Sequence, residues 1–153
     1  MNRFRILMSA TTAAALLSFV APAASSFAKE QEPASVVIKL WNKDDGTMGV
    51  TLDKSTIAPG PVEFDIKNMS KNMMHEALIA PWSGDLKALP YDDGNAFVKE
   101  NAIPDLQGQE DMKPGTETTL RLTLKPGSYI VFCNQPGHYK MGMYARFTVG
   151  SSS

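Results

Sequence analysis

Three side chains that bind soft metal ions lie within eleven residues near the end of the chain. Cys133 is followed by His138 and then by Met143, with four residues between each pair. A thiolate, an imidazole and a thioether belong to the ligand set of trigonal copper sites with a long axial methionine, provided that a second histidine completes the set. Zinc also accepts cysteine and histidine, but a thioether is a poor zinc ligand. The residue types and their order therefore favour copper and one-electron chemistry.

His75 is the candidate for the second imidazole. The chain of 153 residues contains one cysteine and two histidines, so a copper site of this kind would use all three. The same counts exclude an intrachain disulfide and any metal site that needs three imidazoles. They argue against the trinuclear centre of multicopper oxidases, which needs many histidines, and against binuclear copper centres, which need two cysteines. We therefore predict that the protein is not an enzyme.

The same residues also have purely structural interpretations. The cysteine could be a small buried apolar residue at the end of a strand, and the histidines could be satisfied by backbone groups. Met141 competes with Met143 for the axial position, because both could project to the same side of an extended segment. Met73 and Met74 flank His75 and could form an additional Cu(I) site, although packing in the core is the simpler role.

The composition is that of a single globular domain. The chain is 43% hydrophobic and 20% charged, and its formal net charge is −1. A chain of this length and composition can bury a core and corresponds to about one domain of 100–200 residues. It lacks the excess of basic residues that a nucleic-acid partner requires. We therefore expect one domain that binds no nucleic acid.

The first residues have the pattern of a secretory signal. Two arginines precede an apolar run at residues 6–20, which is shorter than the roughly 20 residues of a transmembrane helix. The small residues that a signal peptidase requires predict cleavage after Ala28, with cleavage after Ala23 as the second choice. We therefore predict a signal peptide, residues 1–28, and an exported domain, residues 29–153, that is periplasmic and has no membrane anchor.

Short alternating segments separated by turn residues predict an all-β domain. Residues 73–80 could be a helix or a strand by periodicity alone, but their shortness and the proline that follows favour a strand. Residues 81–105 are predicted to be an excursion with one or two short helical turns. About seven strands with turns between them are typical of a β-sandwich. The predicted strands are residues 34–41, 48–57, 62–67, 73–80, 116–124, 128–132 and 144–149.

The segment from Cys133 to Met143 resembles the copper loop of the cupredoxins, the blue copper proteins. Pro-Gly precedes His138 and Gly precedes Met143, which is most similar to rusticyanin and to small exported cupredoxin-like proteins. The upstream part is similar as well, because an Asn-rich turn leads into His75 about sixty residues before the cysteine. Together the similarity covers residues 36–149.

The resemblance implies a Greek-key β-sandwich of about seven to eight strands with one type 1 copper ion at one end. It implies that His75, Cys133 and His138 bind copper and that Met143 is axial. The implied function is a monomeric one-electron carrier. Its redox partner would dock transiently where the ring of His138 reaches an apolar surface. A protein that buffers or delivers copper, or confers copper tolerance, is the alternative.

One residue departs from the family pattern. The family usually has Asn or Ser after the first histidine, where local hydrogen bonds brace the site, and this chain has Glu76. The potential and the spectrum of the site depend on such contacts.

Overall fold

Alternating apolar residues build the first sheet of the protein. The computed structural model describes residues 31–150, so the predicted signal peptide lies outside the described residues. In the first strand, Val36, Ile38 and Leu40 are fully buried on one face. The strands are β1 (Ala34–Asn42), β2 (Met48–Leu52), β3 (Thr56–Ile57), β4 (Gly60–Asn68), β5 (His75–Pro81), β6 (Tyr91–Asp92), β7 (Phe97–Val98), β8 (Gln107–Met112), β9 (Glu117–Leu124), β10 (Gly127–Phe132) and β11 (Tyr144–Val149).

Two mixed sheets form the sandwich. The first has the strand order β2-β1-β4-β9, with β1 and β4 parallel. The second has the order β3-β11-β10-β5-β8, with β3 and β11 parallel. The main core lies between the sheets, where Phe64 and Phe147 meet edge to face with ring centroids 5.7 Å apart. The prediction of an all-β sandwich is confirmed.

Strands β5 and β10 are buried on both faces. Ala77 and Ile79 of β5 belong to the main core, whereas Leu78 and Ala80 belong to a second apolar cluster on the outer face. Residues 82–106 cover that face and contribute Leu89 and other apolar side chains to the cluster. Strands covered on both faces are continuously apolar rather than alternating. This explains why periodicity alone left residues 73–80 ambiguous, and the strand predicted there is confirmed as β5.

Three details differ from the sequence prediction. Residues 48–57 form two strands in different sheets, because the chain crosses the sandwich between β2 and β3. Residues 81–105 contain the β6–β7 hairpin and a single 3-10 turn, Glu100–Ala102. Strand β8 was not predicted, because it is an edge strand on which Met112 is the single buried residue. Within residues 31–150, no helix has the length and apolar character needed to cross a bilayer.

Candidate metal centre

His75 is placed by a buried asparagine at the end of the neighbouring sheet. The Asn68 side-chain amide donates to the backbone oxygens of Met73 and Met112, at 2.9 Å in both cases. Its side-chain oxygen accepts the N–H of Ser70 at 3.0 Å, so the turn before β5 is fixed at both ends. His75, the first residue of β5, is completely buried. The asparagine of the Asn-rich turn thus fixes the backbone that carries the histidine.

Cys133 and Met143 are joined across the two central strands. Cys133 follows β10 directly, and its N–H donates to the carbonyl of Met143, one residue before β11, at 3.0 Å. Both side chains are fully buried. Residues 133–143 form a loop, which we call the ligand loop. Its turns need Gly137 at φ +83° and Gly142 at φ +96°, a backbone conformation that residues with a side chain rarely adopt. The loop therefore returns His138 toward the cysteine.

The ligand atoms form a small triangle. The Nδ1 atoms of His75 and His138 lie 3.2 Å apart, and the sulfur of Cys133 lies 3.9 Å from the first and 3.4 Å from the second. A triangle with these edges has its centre about 2 Å from each corner, close to the metal–nitrogen distance of about 2.0–2.1 Å in zinc sites. In the tautomers that leave Nδ1 unprotonated, both imidazoles present a lone pair to a cation at this centre. The donor set and its spacing fit copper.

Burial sets the protonation of these groups. It lowers the pKa of His75 to about 4, with a further contribution from the neighbouring His138. Burial also lowers the pKa of His138. In contrast, burial raises the pKa of the Cys133 thiol to about 12, against backbone hydrogen bonds from Gln135 and Glu76 that lower it. At neutral pH both imidazoles are uncharged with free lone pairs, whereas the thiol must lose its proton when a metal binds.

Glu76 occupies the position where the sequence departs from the family. Its backbone N–H donates to the sulfur of Cys133 at 3.3 Å, a contact that does not depend on the side chain. Its buried carboxylate accepts a hydrogen bond of 2.6 Å from the side chain of Gln135. Burial raises the pKa of Glu76, and the hydrogen bond from Gln135 opposes this. The side chain therefore links β5 to the ligand loop.

The methionines fall into buried and exposed groups. Met143 is fully buried beside the cysteine, whereas Met141 is 53% exposed. This difference favours Met143 for the axial position. Met73 packs against the main core, as the simpler interpretation predicted, but Met74 is 40% exposed and does not.

We expect the two methionines of the ligand loop to respond differently to the same substitution. Met143→Gln should keep copper and lower the reduction potential, because a weak axial ligand tunes the metal and an amide oxygen favours Cu(II) over Cu(I) more than a thioether does. Met141→Gln, the matched control, should leave the potential almost unchanged. Voltammetry of both variants measures this, and the opposite pattern would assign the axial role to Met141.

Sequence reasoning missed the contacts between the ligand loop and residues 82–106. The side chain of Asn134, buried directly after the cysteine, hydrogen-bonds to both backbone groups of Val98. The hydroxyl of Tyr139 donates to the carbonyl of Leu86 at 2.7 Å. An asparagine and a tyrosine in a Pro-Gly loop carry no local signal that their partners lie 36 and 53 residues away.

Comparison with known proteins agrees with this geometry. The sequence model of the copper-binding proteins of the plastocyanin/azurin family matches residues 37–150. No curated protein matches the chain significantly.

Several solved structures are similar to the fold. Reduced auracyanin from the photosynthetic bacterium Roseiflexus castenholzii is 26% identical, with a TM-score of 0.55 over 77% of this chain and 99% of that one. Rusticyanin from Thiobacillus ferrooxidans is 19% identical, with a TM-score of 0.57 over 76% of each chain. Auracyanin B is 21% identical, with a TM-score of 0.52 over 79% of this chain and 92% of that one. Together with the geometry above, these findings show that His75, Cys133, His138 and Met143 are arranged as a type 1 copper site.

Proposed function

The chain belongs to the plastocyanin/azurin family of copper-binding proteins, and from this premise we propose that it is a one-electron carrier exported to the periplasm. The observation that carries the proposal is the triangle of Cys133 and the two histidine Nδ1 atoms, with edges of 3.2–3.9 Å. When bound, copper supplies a one-electron couple between Cu(I) and Cu(II).

The residues around the triangle keep its shape constant. His75 and Cys133 are fully buried at the ends of two adjacent central strands. Packed strands of this kind resist displacement, since protein interiors are close-packed. Ligands that keep their places in both oxidation states limit the rearrangement that accompanies each electron transfer. Buried, braced ligands therefore suit an electron carrier.

We propose that the redox partner binds to the surface around His138. This ligand is only half-buried, and Pro136 beside it is exposed. Large apolar side chains exposed within residues 31–150 belong to segments that adjoin the ligands or the ligand loop: Met69, Met74, Phe97 and Met141. We call these four side chains and Pro136, grouped by their places in the chain beside the ligands, the apolar patch. A weak redox partner would dock there, close to the edge of the His138 ring.

The methionines of the patch also favour a second candidate function. Thioethers are soft ligands that select Cu(I). Exposed Met74 adjoins His75 in the chain, and exposed Met141 lies within the ligand loop. A protein that buffers or delivers copper would use such residues for metal transfer. Electron transfer and copper transfer differ in what leaves the protein, so their rates can be measured separately.

Electron self-exchange tests the proposed function. In this reaction two copies exchange an electron through identical surfaces, so a lysine in the patch brings like charges together. We expect Met141→Lys to slow self-exchange at low ionic strength, by about tenfold if the repulsion is about 1.4 kcal/mol, and added salt to restore part of the rate. NMR line broadening in mixtures of the Cu(I) and Cu(II) forms gives the rate.

The control is Thr123→Lys. Thr123 is exposed on β9, near the end of the sandwich opposite the ligands, and the substitution adds the same charge. If both variants slow exchange equally, the patch is not the docking surface. If the unmodified protein passes copper to a Cu(I) chelator faster than it exchanges electrons, copper handling is the better description.

The periplasmic location rests on the sequence pattern of residues 1–28. We propose that the mature protein is a monomer without a membrane anchor or a nucleic-acid partner. The mass of the protein recovered from the periplasm tests the export step. A start at Lys29, or at Ala24, is expected, and a membrane-bound form that keeps Met1 would contradict it.

A further inference from the structure

Residues 82–106, which connect β5 to β8, lie against the ligand loop. They contain the β6–β7 hairpin and, through apolar side chains such as Leu89 and Val98, pack on the outer face of the second sheet. We call residues 82–106 the insert. Hydrogen bonds join the insert to three residues that lie between Cys133 and Met143, so its role extends beyond covering a sheet.

Asn134 makes the most complete of these connections. Its side-chain oxygen accepts the N–H of Val98 at 2.6 Å, and its amide donates to the carbonyl of Val98 at 3.1 Å. The amide also donates to the carboxylate of Glu100 at 2.6 Å. Asn134 is buried, so losing these bonds would leave polar groups of the loop and the insert without partners. The residue next to Cys133 is thus fixed by β7 and the turn that follows it.

A second connection uses the backbone of the hairpin. The N–H of Gly137 donates to the carbonyl of Ala96 at 2.7 Å. Ala96 has φ +60°, a left-handed conformation that is unfavourable for alanine. The hydrogen bond to Gly137, the residue before His138, is therefore accepted by a residue that the hairpin holds in an unfavourable backbone conformation.

Tyr139 makes the third connection, directly after His138. Its hydroxyl donates to the carbonyl of Leu86 and accepts the N–H of Leu89 at 3.0 Å. Its ring is buried and lies 5.8 Å from the ring of Tyr91. Two of the three ligands in the loop, Cys133 and His138, therefore each adjoin a residue that the insert fixes.

We propose that the insert holds the ligand loop in its metal-binding shape before copper arrives, with Asn134 as the main positioning residue. The inference rests on the proposed copper site but not on electron transfer. Three connections from one packed segment keep the loop in the geometry of the site without help from the metal. The loop then needs little ordering when copper binds, and its shape is the same in both oxidation states.

Amide hydrogen exchange in the metal-free protein tests this role. Asn134→Asp keeps the size of the side chain and an oxygen for the N–H of Val98. It removes the amide donor and places a second carboxylate beside Glu100. Adding Glu100→Gln to this variant supplies an amide that can donate to the new carboxylate, so it should restore the bond to residue 100 in the reverse direction but not the bond to the carbonyl of Val98. Asn101→Asp, at an exposed neighbour, is the control for the added charge.

We expect Asn134→Asp to speed exchange at the N–H of Gly137 by about tenfold or more, because lost buried hydrogen bonds cost about 1–3 kcal/mol. Exchange at the N–H of Leu120 in β9 should stay unchanged, and Glu100→Gln should restore part of the slow exchange at Gly137. In the copper-loaded protein, the visible spectrum should shift in Asn134→Asp and return part of the way in the double variant.

Two results would overturn the inference. One is an equal rise in exchange at Gly137 and Leu120, which would show that Asn134 supports only the overall stability of the fold. The other is an effect at Gly137 that Asn101→Asp reproduces or that Glu100→Gln does not reverse even in part. An unmodified protein that shows no copper absorption would overturn the proposed function instead, and the exchange data on metal-free protein would still decide the role of the insert.

Discussion

Replacing Cys133 with serine should remove essentially all of the intense visible absorption of the copper-loaded protein while the sandwich stays folded. Among the four residues of the site, the cysteine alone supplies an anionic sulfur, and the family resemblance attributes the visible band to charge transfer from this thiolate to copper. A serine hydroxyl is a hard, neutral ligand at neutral pH. The substitution changes one atom at a fully buried position, so the packing of β10 is preserved.

The measurement is an absorption titration with Cu(II), combined with circular dichroism to monitor the fold. Met141→Ser is the matched control, because it also removes a sulfur atom from the ligand loop but at an exposed position. Colour that survives in Cys133→Ser would exclude the thiolate as a copper ligand. A loss of β structure in that variant would instead show that the cysteine is needed for packing.

Copper should stabilise the fold, and the gain should depend on pH. A ligand that binds only the folded state adds about 2.7 kcal/mol to the free energy of unfolding at a hundredfold excess over Kd. Binding displaces the thiol proton of Cys133, because burial holds the pKa of this thiol at about 12 in the metal-free protein. With copper in excess, the gain should therefore increase by about 1.4 kcal/mol for each pH unit in the neutral range.

The signs of the pKa shifts define the range in which this slope can be measured. The pKa of His75 is lowered from 6.5 to about 4, so between these values the unfolded state binds this proton more strongly than the folded state does. The metal-free fold therefore has its full stability with respect to His75 above pH 6.5 and loses stability as the pH falls toward 4. The pKa of Cys133 is raised from 9.0 to about 12, so the metal-free fold loses stability as the pH rises above 9. Between these limits the metal-free protein should have nearly constant stability with respect to both groups.

Thermal unfolding of metal-free and copper-loaded protein from pH 6.5 to 8.5 measures the difference. Cys133→Ser provides the control, because it has no thiol proton to displace and should lose the slope. Equal melting temperatures of the two forms at pH 7 would mean that copper does not bind the folded state. A gain in stability that is independent of pH would mean that copper binding does not displace the thiol proton of Cys133.

The central part of the site could be predicted from the sequence because it is local. Cys133, His138 and Met143 come from one loop between adjacent strands, and His75 was the single remaining histidine. The structure brings Cys133 and both histidines within bonding reach of one ion and places Met143 beside the cysteine. Their individual roles as ligands stay predictions until the substitutions are made.

The fold could be predicted where one face of a strand is apolar and the other is polar. Strand β1 shows this alternation clearly, and so does β9 through Leu120, Leu122 and Leu124. Strand β8 could not be recognised, because an edge strand with one buried residue has the composition of a loop. The contact of Asn134 with Val98 could not be predicted either, since a buried asparagine and an exposed one look the same in sequence.

The burial of β5 and β10 on both faces has a consequence for the order of folding and metallation. Strand β5 begins at His75 and β10 ends one residue before Cys133, so both ligands lie at the ends of strands shared by two apolar clusters. Segments with this much burial open last, in the cooperative unit that sets the global stability. The chain can therefore complete its fold first and acquire its metal afterwards.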